Sequence, residues 1–303
     1  TEDNEKESLF LISDYAKNHF KKNLFLSEGK TIALSYLKER GFNDSTIEKF
    51  EIGYSLKKLD DFSSDANKAG YKINYLEKTG LTIVKESNNI DRFRGRVIFP
   101  IRSMSGRVLG FGGRILGASK NIAKYINSPE SLIYQKSKVL YGIFESKQSI
   151  VKEDNCYLVE GYTDVIKMHQ CGITNVVASS GTALTESQIR LINRLTKNIT
   201  VVFDGDEAGS RATLRGIDLI LEQGMNVKIC NLPKNEDPDS FVSKKSLDEA
   251  KLYFEENSKD FIVYKASLLL NESNNDPIKK AGVIRDMVES IAKISDQIKR
   301  EIY

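Results

Sequence analysis

Between Leu140 and Val242, short apolar runs alternate with segments of helical period. The strand-type runs lie near residues 156–160, 174–179, 199–203 and 226–232. Unbroken apolar runs of this length are expected of strands buried on both faces. Residues 163–171, 186–197 and 208–223 instead carry apolar side chains three and four apart, the spacing of one helix face. Strand–helix alternation of this kind predicts a parallel sheet covered on both sides. Thr185, followed three residues on by Gln188, marks a capping box for the second of these helices.

The flanking regions read differently. Leu9, Ile12, Tyr15, Ala16, His19 and Phe20 recur at helical steps and predict a long first helix, with His19 on its core face. A second helix is expected over about Lys30–Arg40, stopping at Gly41. Residues 42–55 read as a short capped helix running into an extended segment, and another helix is expected near Asp65–Ala69. The runs Val97–Ile101 and Val108–Phe111, separated by Ser105-Gly106, predict a β-hairpin. Residues 244–303 are polar and helical, with Leu268–Leu270 and Ile284, Met287 and Ile291 as apolar stripes, and read as a separate helical appendage.

Acidic clusters close three of the predicted strands. They are Glu160 in LVEGYTD, Asp204 and Asp206 in VVFDGDEAG, and Asp237 and Asp239 in KNEDPDS. Ligands of open α/β sheets collect at the carboxyl ends of the strands. Carboxylates gathered there repel one another unless a cation lies between them. Oxygen ligands without His or Cys fit Mg²⁺ or Mn²⁺, and such ions commonly handle phosphate. Gly161 and Gly205 allow sharp turns beside the acids. Asp164 is either a supporting acid or a favourable charge at a helix N-terminus. The SSGTALT segment, residues 179–185, has the small residues of an anion-binding loop, and equally those of an ordinary turn.

Composition narrows the classes. With 303 residues and 40% hydrophobic side chains, the chain can build two or three compact units. No apolar run approaches the roughly 20 residues needed to cross a bilayer. Cys156, Cys171 and Cys230 are scattered, which argues against structural zinc and a disulfide framework and fits a reducing cytoplasm. His19 and His169 are the only histidines, so a Ser-His-Asp hydrolase is disfavoured.

Net charge is only +3, but it is unevenly spread. From Ile90 to Lys124 there are eight Lys or Arg residues and one acid, Asp91. A basic block directly before an acidic one suits a polyanionic substrate. Arg92, Arg94 and Arg96 alternate in RFRGR and would share one face of an extended strand. That row suits phosphate contact or, alternatively, a solvated edge.

EGYTDVI, SSGTALT, FDGDEAG and DPDS together resemble the Toprim domain of primases, topoisomerases and some nucleases. DRFRGRVIFPI, LGFGGRIL, KYINSPES and YGIFESK are similar to the RNA polymerase core of bacterial DnaG-type primases. The resemblance implies an α/β fold, α+β overall. A Toprim parallel-sheet domain (138–243) would be flanked by an N-terminal mixed α/β subdomain (1–137) and a C-terminal helical subdomain (244–303). It implies metal binding by Glu160, Asp204, Asp206, Asp237 and Asp239, with Glu160, Asp204 and Asp206 in catalysis. Arg92, Arg94, Arg114, Lys124 and Lys136 fall in motifs used for nucleotide or template; Arg96 and Arg102 receive no role.

The implied reaction is template-directed nucleotidyl transfer from ribonucleoside triphosphates on single-stranded DNA, leaving an RNA–DNA hybrid. The family's zinc-binding and helicase-binding modules are not in this sequence, so the chain reads as a catalytic core without zinc. A replicative helicase would engage through the missing C-terminal domain. Inhibition by guanosine tetraphosphate alarmones, no membrane association and a cytoplasmic replication fork are further expectations. Two rivals remain: a metal-dependent nuclease built on the same acids, and a non-catalytic nucleic-acid-binding module.

Overall fold

The computed structural model describes residues 2–86, 88–117, 122–181, 183–205, 211–272 and 277–303. The side chains of 211–213, 215, 271 and 272 are not part of that description. The chain divides into two compact units, Thr1–Val139 and Leu140–Tyr303.

The first unit opens with α1 (Glu2–Leu24), then α2 (Ser27–Gly29), a π-helical turn (Lys30–Leu34) and α3 (Ser35–Glu39). The expected helix over 30–40 thus contains a wide turn that side-chain periodicity does not reveal. α4 (Asp44–Lys49) follows, capped by Asn43, whose side chain accepts the Thr46 N–H. Next come β1 (Gly53–Ser55), α5 (Asp61–Lys68), α6 (Ile73–Lys78) and the paired strands β2 (Thr82–Val84) and β3 (Asn89–Asp91). The predicted hairpin is β4 (Arg96–Arg102) and β5 (Val108–Ile115). β6 (Tyr125–Asn127) completes an antiparallel sheet of order β1-β4-β5-β6.

The core of this unit packs Ile12, Ala16 and Phe20 of α1 against Phe62, Leu76, Ile98 and Phe111. Phe20 and Phe111 meet edge to face at 5.6 Å. His19 does more than fill the core. Its Nε2 lies 2.8 Å from Asp61 and its Nδ1 3.0 Å from Asp65, fastening α1 to α5.

One expectation fails here. RFRGR is not a strand: residues 92–95 form a turn, with Gly95 at φ 67°. The Phe93 side chain sinks into the core, and the arginines therefore leave the common face that an extended strand would give them.

The second unit carries α7 (Ile143–Glu153), β7 (Cys156–Val159), α8 (Tyr162–Cys171), β8 (Val176–Ala178), α9 (Glu186–Asn193), β9 (Asn198–Phe203), α10 (Arg211–Glu222) and β10 (Asn226–Asn231). The helices α11 (Pro238–Val242) and α12 (Leu247–Asn257), strand β11 (Ser258–Asp260), and α13 (Phe261–Glu272), α14 (Pro277–Ala292) and α15 (Gln297–Ile302) follow. The sheet order is β11-β10-β9-β7-β8, parallel from β10 to β8. The Thr185 cap forms as expected, its side chain accepting the Gln188 N–H.

β11 is the departure from the sequence reading. Residues 258–260 add an antiparallel edge to β10, so the stretch after residue 244 is stitched into the sheet. A three-residue strand is too short to show a period. Behind it, Lys265 of α13 is buried against Asp218 of α10 and Ser290 of α14, an interaction that joins three helices. The three cysteine thiols are free; Cys156 and Cys230 are buried in strands, and burial pushes the Cys230 thiol up to about 11. No described helix is long and apolar enough to cross a membrane.

Candidate active site

Parallel pairing puts the carboxyl ends of β7, β9 and β10 side by side. Glu160 follows β7 directly and is exposed, while its carbonyl accepts the Ser180 N–H at 3.0 Å. That amide of the SSGTALT loop is consequently turned inward, not toward a ligand. The loop runs directly into α9, which begins at Glu186 with Thr185 as its cap.

Asp204 follows β9 and is half-buried. The next amide, Gly205 N–H, donates to the Glu236 carbonyl at 2.9 Å. A Cβ on Gly205 would stand 2.0 Å from the Pro233 carbonyl oxygen. Only glycine lets these two acidic loops approach so closely. Asp206 lies outside the described residues.

Beyond β10, the two acids of DPD part ways. Asp237 is exposed and caps α11, its Oδ1 accepting the Ser240 N–H at 2.7 Å. Pro238 occupies the first helical position, where no N–H is required. Asp239 is buried, and its carbonyl accepts the Ser243 hydroxyl at 2.7 Å.

Asp164 joins these loops. It is buried in the first turn of α8, with Oδ2 accepting the Gly161 N–H at 3.0 Å and Oδ1 the Asp239 N–H at 3.2 Å. One carboxyl thus ties the residue after Glu160 to the DPD segment. Burial, reinforced by the like charges of Asp237 and Asp204, pushes its carboxyl up to about 8. Asp164 thus both caps the start of α8 and links it to the DPD segment.

Among the described residues, Glu160, Asp204 and Asp237 of the expected metal set are carried on loops at adjacent strand ends, and Asp239 lies in the first turn of α11. Among the described residues, no three carboxylate, imidazole or thiol groups form a ready metal cluster.

The basic residues of the first unit have separate fates. Arg92 donates from Nε to the Gly80 carbonyl at 2.6 Å, and Arg94 is exposed with no partner among the described residues. Arg96 is buried, and Arg102 pairs with Glu51. Lys124 is exposed; Lys136 sits on a 3₁₀ turn (Lys136–Lys138), its N–H donating to Glu130 at 2.9 Å.

Arg114 is the centre of a cluster that the sequence did not reveal. Its guanidinium carbon lies 5.0 Å from the Tyr36 ring centroid and 5.5 Å from that of Tyr125. Nη1 donates to the Tyr125 hydroxyl at 3.3 Å, and Arg40 donates to the Tyr36 hydroxyl at 2.9 Å. The Nε of Arg114 is buried without an acceptor among the described residues. Tyr125 stood next to Lys124 in KYINSPES, but Tyr36 and Arg40 carry no local signal. Only the packing of α3 near β5 assembles them.

Comparison with known proteins agrees with this layout. Residues 19–147 match the family model of the DNA primase catalytic core N-terminal domain, and residues 157–242 match a Toprim-like model. A DNA primase of Halalkalibacterium halodurans is 36% identical over 302 residues, 99% of this chain and 50% of that protein. The chain thus spans about half the length of the curated relatives it matches. A DNA primase domain from Pseudomonas aeruginosa superposes with a TM-score of 0.87 at 32% identity, covering 97% of this chain and 93% of that one. A DnaG primase catalytic domain solved bound to single-stranded DNA gives 0.88 at 29% identity, covering 99% and 97%. Glycine-buttressed acidic loops at a parallel sheet edge, an Arg–Tyr cluster on a separate basic unit and this end-to-end likeness place the chain in the family of DnaG-type DNA primase catalytic cores.

Proposed function

We propose that this chain is the RNA-polymerising core of a replication primase, making short RNA primers on single-stranded DNA from ribonucleoside triphosphates. The observation that carries the reading is the acidic sheet edge. Glu160, Asp204 and Asp237 sit on loops, and Asp239 in the first turn of α11, held together by Asp164 and Gly205. The donor set is all carboxylate, and Asp237 and Asp204 bring like charge to bear on the buried Asp164. Both features fit a hard divalent cation.

Glu160, Asp204 and Asp237 would hold Mg²⁺ or Mn²⁺, with Asp206 and Asp239 assigned to the same set. When bound, such an ion lowers the pKa of an attacking hydroxyl and neutralises phosphate charge. Asp164 keeps the Gly161 turn and the start of α11 in register, so that acids from two loops face the same space. Arg114 and the exposed Arg94 and Lys124 offer donors for triphosphate or template phosphates; Arg92 and Lys136 share the assignment. Tyr36 and Tyr125 add aromatic faces of the kind on which single-stranded nucleic acid stacks. That a neighbouring DnaG domain was solved with single-stranded DNA supports this partner.

The division into 1–137, 138–243 and 244–303 is proposed on the same footing, as is action in the bacterial cytoplasm at the replication fork. A replicative helicase and guanosine tetraphosphate alarmones, the latter as competitors for the triphosphate site, are proposed partners.

The test is incorporation of labelled ribonucleotides on a single-stranded template, with Mg²⁺, with Mn²⁺ and with EDTA. Short metal-dependent RNA, lost in a folded Asp204→Ala variant, is the expected result. RNA synthesis that survives Asp204→Ala overturns the metal assignment. Shortened template without RNA favours the nuclease.

A further inference from the structure

Arg96 is the one member of the RFRGR set that the functional reading leaves without work. It starts β4 and is only 5% exposed. No carboxylate pairs with it among the described residues, although a buried charge normally needs such a partner. Instead, Nη1 donates to two backbone carbonyls, Gly113 of β5 and Lys124 at the entry to β6, both at 3.2 Å. The Lys124 carbonyl also accepts the Ile115 N–H at 2.9 Å. Burial pulls the guanidinium below its ordinary pKa, so the arrangement costs free energy and must return it elsewhere.

The two carbonyls it holds flank the cluster around Arg114. Gly113 precedes Arg114 in β5, and Lys124 precedes Tyr125, the residue paired with Arg114 across the ladder. β6 has only three residues and lies at the sheet edge, so its own ladder holds it weakly. The packing is close: a Cβ on Gly113 would stand 2.6 Å from Phe93 Cδ1 and 3.1 Å from Arg96 Cδ. A side chain at 113 would therefore displace both Phe93 and Arg96.

We infer that Arg96 is a positioning residue: it pins β5 to the start of β6 so that Arg114, Lys124 and Tyr125 form one phosphate-holding constellation. Arg96 itself does not meet nucleic acid. The inference rests on the reading of Arg114 and Lys124 as phosphate contacts.

A double-mutant cycle on the 303-residue chain tests it, using anisotropy of a dye-labelled single-stranded oligonucleotide at several salt concentrations. Arg114→Ala should weaken binding about tenfold or more, since a charge-assisted contact is lost. It should also flatten the log Kd against log salt slope by about 0.7, the contribution of one single-strand phosphate contact. Arg96→Met keeps the buried stem and removes the donors. It should weaken binding about five- to tenfold, yet add less than about twofold on top of Arg114→Ala. Arg96→Lys, which can reach one carbonyl, should recover part of the loss and replaces Arg96→Met in the cycle if the latter does not fold. Ile98→Val, a buried change in the same strand, should lower the unfolding temperature and leave the salt slope untouched.

Additive losses from Arg96 and Arg114 overturn the inference and leave the phosphate reading standing. An Arg114→Ala variant that binds with unchanged affinity and slope overturns the phosphate reading, and the inference with it.

Discussion

Replacing Asp164 with asparagine should change stability in opposite directions at low and high pH. The folded carboxyl is pushed up to about 8, whereas an unperturbed aspartate sits at 3.8. Because the folded pKa is raised, the native state is free of penalty below about pH 4 and loses stability steadily as pH climbs toward 8. Each pH unit in that window costs about 1.4 kcal/mol. The accumulated penalty is thus about 1.5 kcal/mol near pH 5 and about 5 near pH 8. Asparagine never ionises and escapes it. The substitution carries its own loss, because a side-chain amide offers one acceptor where the carboxyl serves both the Gly161 and Asp239 N–H groups. One buried amide left without an acceptor costs about 1–3 kcal/mol. Near pH 5 the two effects roughly balance or the variant is weaker. Near pH 8 the variant should win by about 2–4 kcal/mol. Urea unfolding of both proteins in EDTA at the two pH values measures this directly. RNA synthesis should fall at either pH, since the loop register depends on both hydrogen bonds. A stability difference that is the same at both pH values would mean that the Asp164 carboxyl does not titrate with a raised pKa in the folded protein.

Gly205→Ala should lower the unfolding temperature by several degrees, because its Cβ meets the Pro233 backbone and overpacking costs about 1–3 kcal/mol; calorimetry checks it. Tyr125→Phe removes the hydroxyl that Arg114 donates to but keeps the ring, so oligonucleotide affinity should fall only a few-fold, and Tyr125→Ala should cost more. His19→Ala leaves Asp61 and Asp65 without the imidazole that bridges them to α1, and should lower first-unit stability by about 1–3 kcal/mol in urea unfolding.

Much of the second unit was legible because its signals are local. An apolar strand ending in an acid, followed by glycine and an amphipathic helix, specifies both an element and its neighbour. The cap Thr185–Gln188 and the strands β7, β9 and β10 follow from residues a few positions apart. Strand–helix alternation implies parallel pairing, but the order β10-β9-β7-β8, which sets β9 beside β7 and gathers the acidic loops, is fixed by tertiary packing.

The arginines show where local reading stops. Alternation in RFRGR described an extended strand, but Phe93 is drawn into the core and the chain turns. Once it turns, Arg92 meets a backbone carbonyl, Arg94 stays in water and Arg96 is buried. Identical residue types two positions apart thus acquire different chemistry from what packs around them. The sequence by itself determined which residue types are available and at which strand ends they fall, because hydrogen-bond period and turn chemistry act over a few residues. Folding in three dimensions sets the rest: Asp164 joins two loops, Tyr36 meets Arg114, and Arg96 grips carbonyls of β5 and of the residue before β6. Each of those contacts closes a long loop of chain, and only burial of the shared core holds such partners together.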